Sequence, residues 1–267
     1  MKKILYKTIM YLGLTTLIFL TLGKINTMKL NIEEQRLFID KLPKSFVGTK
    51  LVHFSDLHLK CDQSIDRLQK TVDNIVLIDP EIIIFSGDLI SGDCNLDYTK
   101  IVAKTMEPLE NIVWKFYLLG DEDTENTSKY VFNYLEFREL NNDTFKLYNS
   151  DLDSISLIGI TSQTDIDTSL LSKDTSSILI THQPNHLSSV DLSNIDIAFT
   201  SHTQLGKIYV PFYKGLFNVE GASTIGYQDY EIVSGLEIYT SRGVGTDFPH
   251  IRYFNDPTIH FYRLDKK

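Results

Sequence analysis

The stretch Leu51-Val52-His53-Phe54-Ser55-Asp56-Leu57-His58 is an apolar run that stops at a carboxylate, with an imidazole two residues later. If the run is a buried strand, Asp56 and His58 lie in the loop at its C-terminal end, a usual place for a ligand site in an α/β sheet. An anionic oxygen and a neutral ring nitrogen this close together suit a divalent cation. A lone Asp-x-His is weak, because many solvated loops contain one. Here the pattern recurs. Ser86-Gly87-Asp88 follows a second apolar run and Leu119-Gly120-Asp121-Glu122-Asp123 a third. Ile180-Thr181-His182 and Thr200-Ser201-His202 each place an imidazole just beyond another. Strand ends that repeatedly deliver Asp and His argue for one metal centre rather than a set of unrelated turns.

The elements that must position these residues are legible in the spacing of apolar residues. Ile65, Leu68, Val72, Ile75 and Val76 recur at helical intervals between Ser64 and Asp79, and Pro80 ends the pattern. Glu81 to Phe85 is a short apolar run, so a buried strand. A second helix is predicted over Asp97 to Glu107, a strand over Val113 to Leu119 and a helix over Lys129 to Leu140. This alternation argues for parallel strands with right-handed crossovers. Further strands are predicted at Ile155–Ile160, Ser177–Thr181, Asp196–Thr200, Leu236–Thr240, Ile251–Phe254 and Thr258–Arg263. Asn31 to Lys50 reads as a stalk plus a first strand. No repeat or low-complexity linker divides the rest, so residues 31–267 are expected to form one domain of two packed sheets with helices outside.

Residues 1–30 read as a membrane anchor. Thr8 to Gly23 carries no charge, and Ile4, Leu5 and Tyr6 can extend it if Lys7 snorkels, which reaches the ~20 residues a spanning helix needs. Lys2, Lys3 and Lys7 place the N-terminus in the cytoplasm and the body outside. With no Ala-x-Ala-like cleavage site, an uncleaved single-pass anchor in the cell membrane is favoured over a cleaved signal peptide. The first thirty residues hold five lysines and no acid, so the remainder has 21 basic against 35 acidic side chains, a net −14. That charge is wrong for binding nucleic acid, which depends on neutralising phosphates. It still permits a phosphorylated substrate where metals set the local charge. Cys61 and Cys94 each follow a candidate site carboxylate. If their loops meet, a disulfide could form outside the membrane, but two unrelated thiols is the favoured expectation.

The order of these motifs resembles the calcineurin-like metallophosphoesterases, in particular their membrane-tethered bacterial branch. That family reads Asp-x-His, Gly-Asp, Gly-Asn-His-Asp, a single His, then Gly-His-x-His. The likeness runs from about Gln35 to Leu264 and includes the tail Ser241-Arg242-Gly243-Val244-Gly245-Thr246. It implies an α/β fold, a four-layer α/β/β/α sandwich of two mixed sheets. It also implies a centre of two divalent ions (Mn, Fe, Zn or Mg) and hydrolysis of a phosphomonoester, phosphodiester or pyrophosphate by a metal-bridging hydroxide. By the resemblance, Asp56 and His58 hold one ion, Asp88 bridges, and His182 and His202 hold the other.

Three positions depart from the pattern. Asp121 stands where the family has Asn and can still ligate through oxygen. Glu122 stands where the family has a non-ligand His, and could act as a proton donor only if its pKa were raised, which a cluster of carboxylates would favour. Gln204 stands where the family has the second His of the last motif, and offers a weaker carbonyl ligand. The expectation is one tight ion and one weak, with the carboxylates shifting preference toward Mn²⁺ or Mg²⁺ over Zn²⁺. Arg242 could reach a substrate phosphate or pair with a nearby acid. Two readings stay open: a membrane-anchored phosphoesterase acting on envelope-located phosphate compounds, or a non-catalytic relative that binds a phosphorylated ligand or partner.

Overall fold

A computed structural model describes residues 2–61, 64–161, 175–210, 214–215, 225–248 and 250–267. Its first element, α1 (Lys2–Thr27), is 26 residues long. At ~1.5 Å per residue this spans about 39 Å, more than the ~30 Å of a hydrocarbon core. By length and composition the helix could cross a membrane, and almost all of it is exposed.

The remaining strands are β1 (Asn31–Ile39), β2 (Lys50–Phe54), β3 (Ile82–Ser86), β4 (Trp114–Leu118), β5 (Arg138–Glu139), β6 (Asp143–Tyr148), β7 (Ser154–Ile160), β8 (Ser176–Thr181), β9 (Ile197–Thr200), β10 (Tyr209–Val210), β11 (Lys214–Gly215), β12 (Tyr230–Val233), β13 (Leu236–Thr240) and β14 (Thr258–Lys266). The helices are α2 (Asp66–Ile78), α3 (Leu96–Met106) and α4 (Tyr130–Tyr134). Twelve of the strands form two mixed six-stranded sheets, ordered β1-β14-β2-β3-β4-β5 and β12-β13-β9-β8-β7-β6, and β10 pairs with β11 in a separate antiparallel ribbon. The middle strands of each run parallel, and β14 opposes β2 in the first sheet.

The inner faces meet in a dry layer that includes Leu51, Ile82, Ile84 and Phe116 from the first sheet and Leu157, Ile178, Ile180 and Phe199 from the second. Each such side chain contributes roughly 1.5–3 kcal/mol by leaving water. Helices α2, α3 and α4 cover the outer face of the first sheet through Leu68, Val72, Val102 and Phe132. On the second sheet the described cover is a 3₁₀ helix, Pro184–Ser189, with Leu187 against Leu179 and Ile238. Two buried faces explain why the central strands read as unbroken apolar runs.

Four local expectations are corrected. There is no stalk before the first strand, because β1 starts at Asn31 and pairs in parallel with β14 along its whole length. The helix expected over Lys129 to Leu140 is only α4, entered through a π turn at Glu125–Lys129. It stops where Glu136 takes φ 56°, and the Phe137 amide closes back on the Phe132 carbonyl at 2.9 Å. Ile251–Phe254 is not a strand but a segment held by one isolated bridge, Ile208 to Tyr253. Finally, Cys61 and Cys94 are bridged, with Cα atoms 5.3 Å apart, so the expectation of two unrelated thiols is overturned. The adjoining loops zip together by main-chain bonds from Leu59 to Leu89 and from Ser91 to Leu59, and these bring the cysteines within reach.

Candidate metal centre

The parallel strands β2, β3 and β4 end side by side, and their loops carry Asp56, His58, Asp88, Asp121 and Glu122 to one point. From the second sheet, β8 and β9 end on His182 and His202. The Asp56 amide bonds the Gly87 carbonyl at 2.9 Å and the His58 amide the Asp88 carbonyl at 3.1 Å, so the first two loops are locked in register. Gly87 and Gly120 are required by close approach. A Cβ at Gly87 would lie 2.5 Å from His182 Nδ1, and one at Gly120 would lie 2.2 Å from Asp88 Oδ1. That is the physical content of the Gly-Asp motifs.

Asp88, His182 and His202 offer ligand atoms all within 4.8 Å of one another, and so do Asp56, His58 and Asp88. Asp88 belongs to both groups, the placement a bridging carboxylate needs. Its Oδ2 lies 3.2 Å from His182 Nε2 and 3.8 Å from His58 Nε2. Asp121 reaches His202 Nδ1 at 3.2 Å but is half exposed and accepts from Gln183 Nε2 at 2.6–2.7 Å. Asp56, His58, Asp88, His202 and Gln204 all hold φ between 47° and 65°. Non-glycine residues in this region cost of order 1–3 kcal/mol each, and such strain clusters at functional sites.

The donor set fits a divalent cation. His182 Nδ1 bonds the Ser86 carbonyl at 2.7 Å, which turns Nε2 inward, where it is buried with Asp88 Oδ2 3.2 Å away but out of hydrogen-bond alignment. Asp56 Oδ1 is buried and unpartnered, while its other oxygen accepts from Ser55. Buried polar atoms rarely stay unsatisfied, and an ion in each of the two ligand groups would give each of these atoms a partner. Burial alone would lower the His58 and His182 pKa values. The Asp56 and Glu122 carboxylates around His58, and Asp88 beside His182, instead act to raise both, His182 to about 10. For Asp88, burial is outweighed by the His182 and His58 rings, which keep it well below the usual carboxylate range.

Two sequence expectations change, for Glu122 and Gln204, and of the two roles left open for Arg242 the structure shows the pairing with an acid. The Glu122 carboxyl is lowered, not raised, chiefly by His58 at 3.3 Å, the opposite of the shift expected for a proton donor. Arg242 forks onto Asp229 at 2.5 and 2.7 Å and reaches Glu33 at 3.2 Å. Its donors serve that pairing rather than a phosphate. Gln204 does not turn its carbonyl to the ions. Its Oε1 accepts from Arg252 Nη2 at 2.9 Å, and its Nε2 faces His58 Nε2 at 2.9 Å. Arg is donor-only, so the amide oxygen must face it and the NH₂ must face His58.

Sequence reasoning missed Arg252 and understated Asp123. Arg252 is fully buried and also bonds the carbonyls of Gly245 at 2.8 Å and Arg242 at 2.5 Å. Asp123 accepts from the amides of Asp88, Gly120 and Leu89 at 2.7–2.9 Å, which fixes the loop that carries Asp88. A carboxylate two residues past Asp121 in the same motif was its only signal.

The profile of the calcineurin-like phosphoesterases matches residues 49–215, more than half of the chain and every ligand-bearing loop just described. The chain belongs to the calcineurin-like phosphoesterase family. An uncharacterized metallophosphoesterase of Campylobacter jejuni is 26% identical, over 94% of this chain and 68% of its own length. One from Bacillus subtilis is 25% identical, over 84% and 81%. A zebrafish transmembrane protein with a metallophosphoesterase domain is 24% identical, over 68% of this chain and 48% of its own length. As a member of the family the chain is, in general terms, a metal-dependent phosphoesterase, and its two groups of metal-capable residues are those a divalent cation would use.

Proposed function

We propose that the chain is a membrane-anchored phosphoesterase, with residues 1–30 as its anchor and residues 31–267 as the catalytic domain outside the cytoplasm, hydrolysing phosphomonoesters, phosphodiesters or pyrophosphates. The observation that carries this is the convergence of Asp56, His58, Asp88, His182 and His202 on one pocket, with Asp88 common to two ligand groups. In this reading Asp88, Asp121, His182 and His202 hold the tighter ion, and Asp56, His58 and Asp88 the weaker. Such ions supply charge neutralisation at the phosphoryl oxygens and a water of lowered pKa. The chain's own part is to fix the donors. Ser86 and Ser201 orient His182, Asp123 holds the Asp88 loop, and the strained backbone at Asp56 and Asp88 aims both carboxylates inward.

A second reading, a relative that binds a phosphorylated ligand without turning it over, is favoured by the ionised Glu122 and the engaged Gln204. The two are separated by assaying the full chain in detergent with Mn²⁺ on soluble p-nitrophenyl phosphate mono- and diesters. Turnover by the natural chain supports the enzyme. Turnover seen only after Glu122→His with Gln204→His supports the binding protein.

A further inference from the structure

The ligands cluster at the C-terminal ends of β2, β3 and β4. Strand β14 runs antiparallel to β2, with His260 opposite His53, so β14 begins beside the end of β2 that leads to Asp56. Strand β1 is parallel to β14, Asn31 opposite Thr258, so β1 begins there too. Helix α1 leads directly into β1. The topology alone therefore brings α1 to the same pole of the domain as the metal ligands.

Packing fixes that arrangement. Gly23 is buried, and a Cβ there would lie 2.7 Å from Tyr253 Cε2 and 2.9 Å from Ile251 Cβ, so only glycine lets the helix close on this segment. The Arg252 amide bonds the Gly23 carbonyl at 3.0 Å, and Asn26 Nδ2 bonds the Arg252 carbonyl at 3.0 Å. Arg67, at the start of α2, donates to the Lys29 carbonyl at 2.5 Å and to the Thr27 carbonyl. One turn deeper, Phe19 stacks on Tyr253 with ring centroids 4.3 Å apart, and the Tyr253 hydroxyl donates to the Phe19 carbonyl. From the main chain that α1 grips, the Arg252 side chain runs to Gln204 and so to His58. One arginine and one glutamine side chain separate the helix from the pocket.

On the same segment two large apolar side chains face solvent, Phe248 at 81% and Phe254 at 75% exposure. The main chain at Phe248 and next to Phe254 is tied down by hydrogen bonds. Lys207 Nζ bonds the Phe248 carbonyl at 2.7 Å, and the Tyr209 amide bonds the Tyr253 carbonyl at 2.9 Å. Exposed Lys24 and Lys29 lie at the same junction. Aromatic residues beside lysines at the end of an apolar helix are the composition of a membrane interface.

We propose that the metal-bearing pole rests on the bilayer, with Phe248 and Phe254 in the headgroup layer, so that the phosphoesters within its reach are those at the level of lipid headgroups. This rests on the reading of α1 as an anchor. The chain carries its own control, because its single tryptophan, Trp114, starts β4 at the opposite pole. The full chain is reconstituted into phosphatidylcholine–phosphatidylglycerol vesicles with and without a lipid spin-labelled on its headgroup, and tryptophan emission is compared. Native Trp114 should keep its emission. With Trp114→Phe and Phe254→Trp the emission should be mostly lost to the spin label, and Phe248→Trp in place of Phe254→Trp repeats the test should the first variant not fold. Unquenched emission at both new positions, or quenching of Trp114, in chains that float with the vesicles overturns the proposal and leaves the anchor intact. Chains that do not float overturn the anchor as well.

Discussion

Arg252 Nη2 donates to Gln204 Oε1 at 2.9 Å, and this bond fixes what Gln204 can do. With its oxygen committed, the glutamine presents an NH₂ to His58 Nε2, the nitrogen that faces Asp56 and Asp88. A donor cannot ligate a cation. An ion between Asp56, His58 and Asp88 must therefore displace this amide, while an ion at Asp88, His182 and His202 need not.

Metal titration of the full chain should accordingly show one tight Mn²⁺ and a second that is much weaker. Gln204→His should tighten the second by about 10–100-fold, the range by which groups around a metal tune affinity. Equilibrium dialysis with elemental analysis reads both numbers. Two equal, tight ions in the natural chain would show that Gln204 is no obstacle.

The imidazoles set the pH dependence. His182 is held at about 10, above the ~6.5 of an unfolded chain, while at His58 the pull of the carboxylates is opposed by the Gln204 NH₂ that faces Nε2. A raised value contributes stability that is complete below pH ~6.5 and is lost as pH rises toward 10. The metal-free chain should thus melt at progressively lower temperature across that window. Ions need neutral rings, so binding should release protons and strengthen over the same range. Isothermal titration in two buffers of different ionisation enthalpy measures the release, and identical apparent enthalpies would refute it.

Cys61 and Cys94 tie together the loops that follow β2 and β3. Closing a loop with a sequence separation of 33 is worth roughly 3–4 kcal/mol in the chain-entropy account. Reduction, or Cys94→Ser, should lower the melting temperature by several degrees and weaken metal binding, since both loops carry ligands. A melting curve unmoved by reduction would mean that the zipped main chain suffices.

Glu122 is an altered residue whose side chain is partly open to solvent beside His58. As an anion 3.3 Å from His58 it repels a phosphate, so Glu122→Gln should lower the KM for a soluble phosphodiester and leave metal stoichiometry unchanged. A raised KM would assign Glu122 a favourable contact with substrate.

The ligands were legible because each ends an apolar run on a central strand, where both faces are buried and the sequence has a sharp edge. Strands β6 and β12 were not, because they border the second sheet and their residues are largely exposed or half-buried, so they show no apolar run. Arg242 was ambiguous because spacing does not single out its partners, Asp229 across a turn and Glu33 on β1. Arg252 gave no signal at all. Its importance comes from burial between Gln204, Gly245 and the end of α1, a juxtaposition that only the folded chain contains. The Cys61–Cys94 bridge needed the register of two loops, which composition does not carry.

The central claim is tested most directly by Mn²⁺-dependent hydrolysis of bis(p-nitrophenyl) phosphate by the full chain, measured beside Asp88→Asn. The account predicts turnover that vanishes on chelation, returns with Mn²⁺, and is lost in Asp88→Asn because both ligand groups share that carboxylate. Turnover that survives Asp88→Asn unchanged would contradict it.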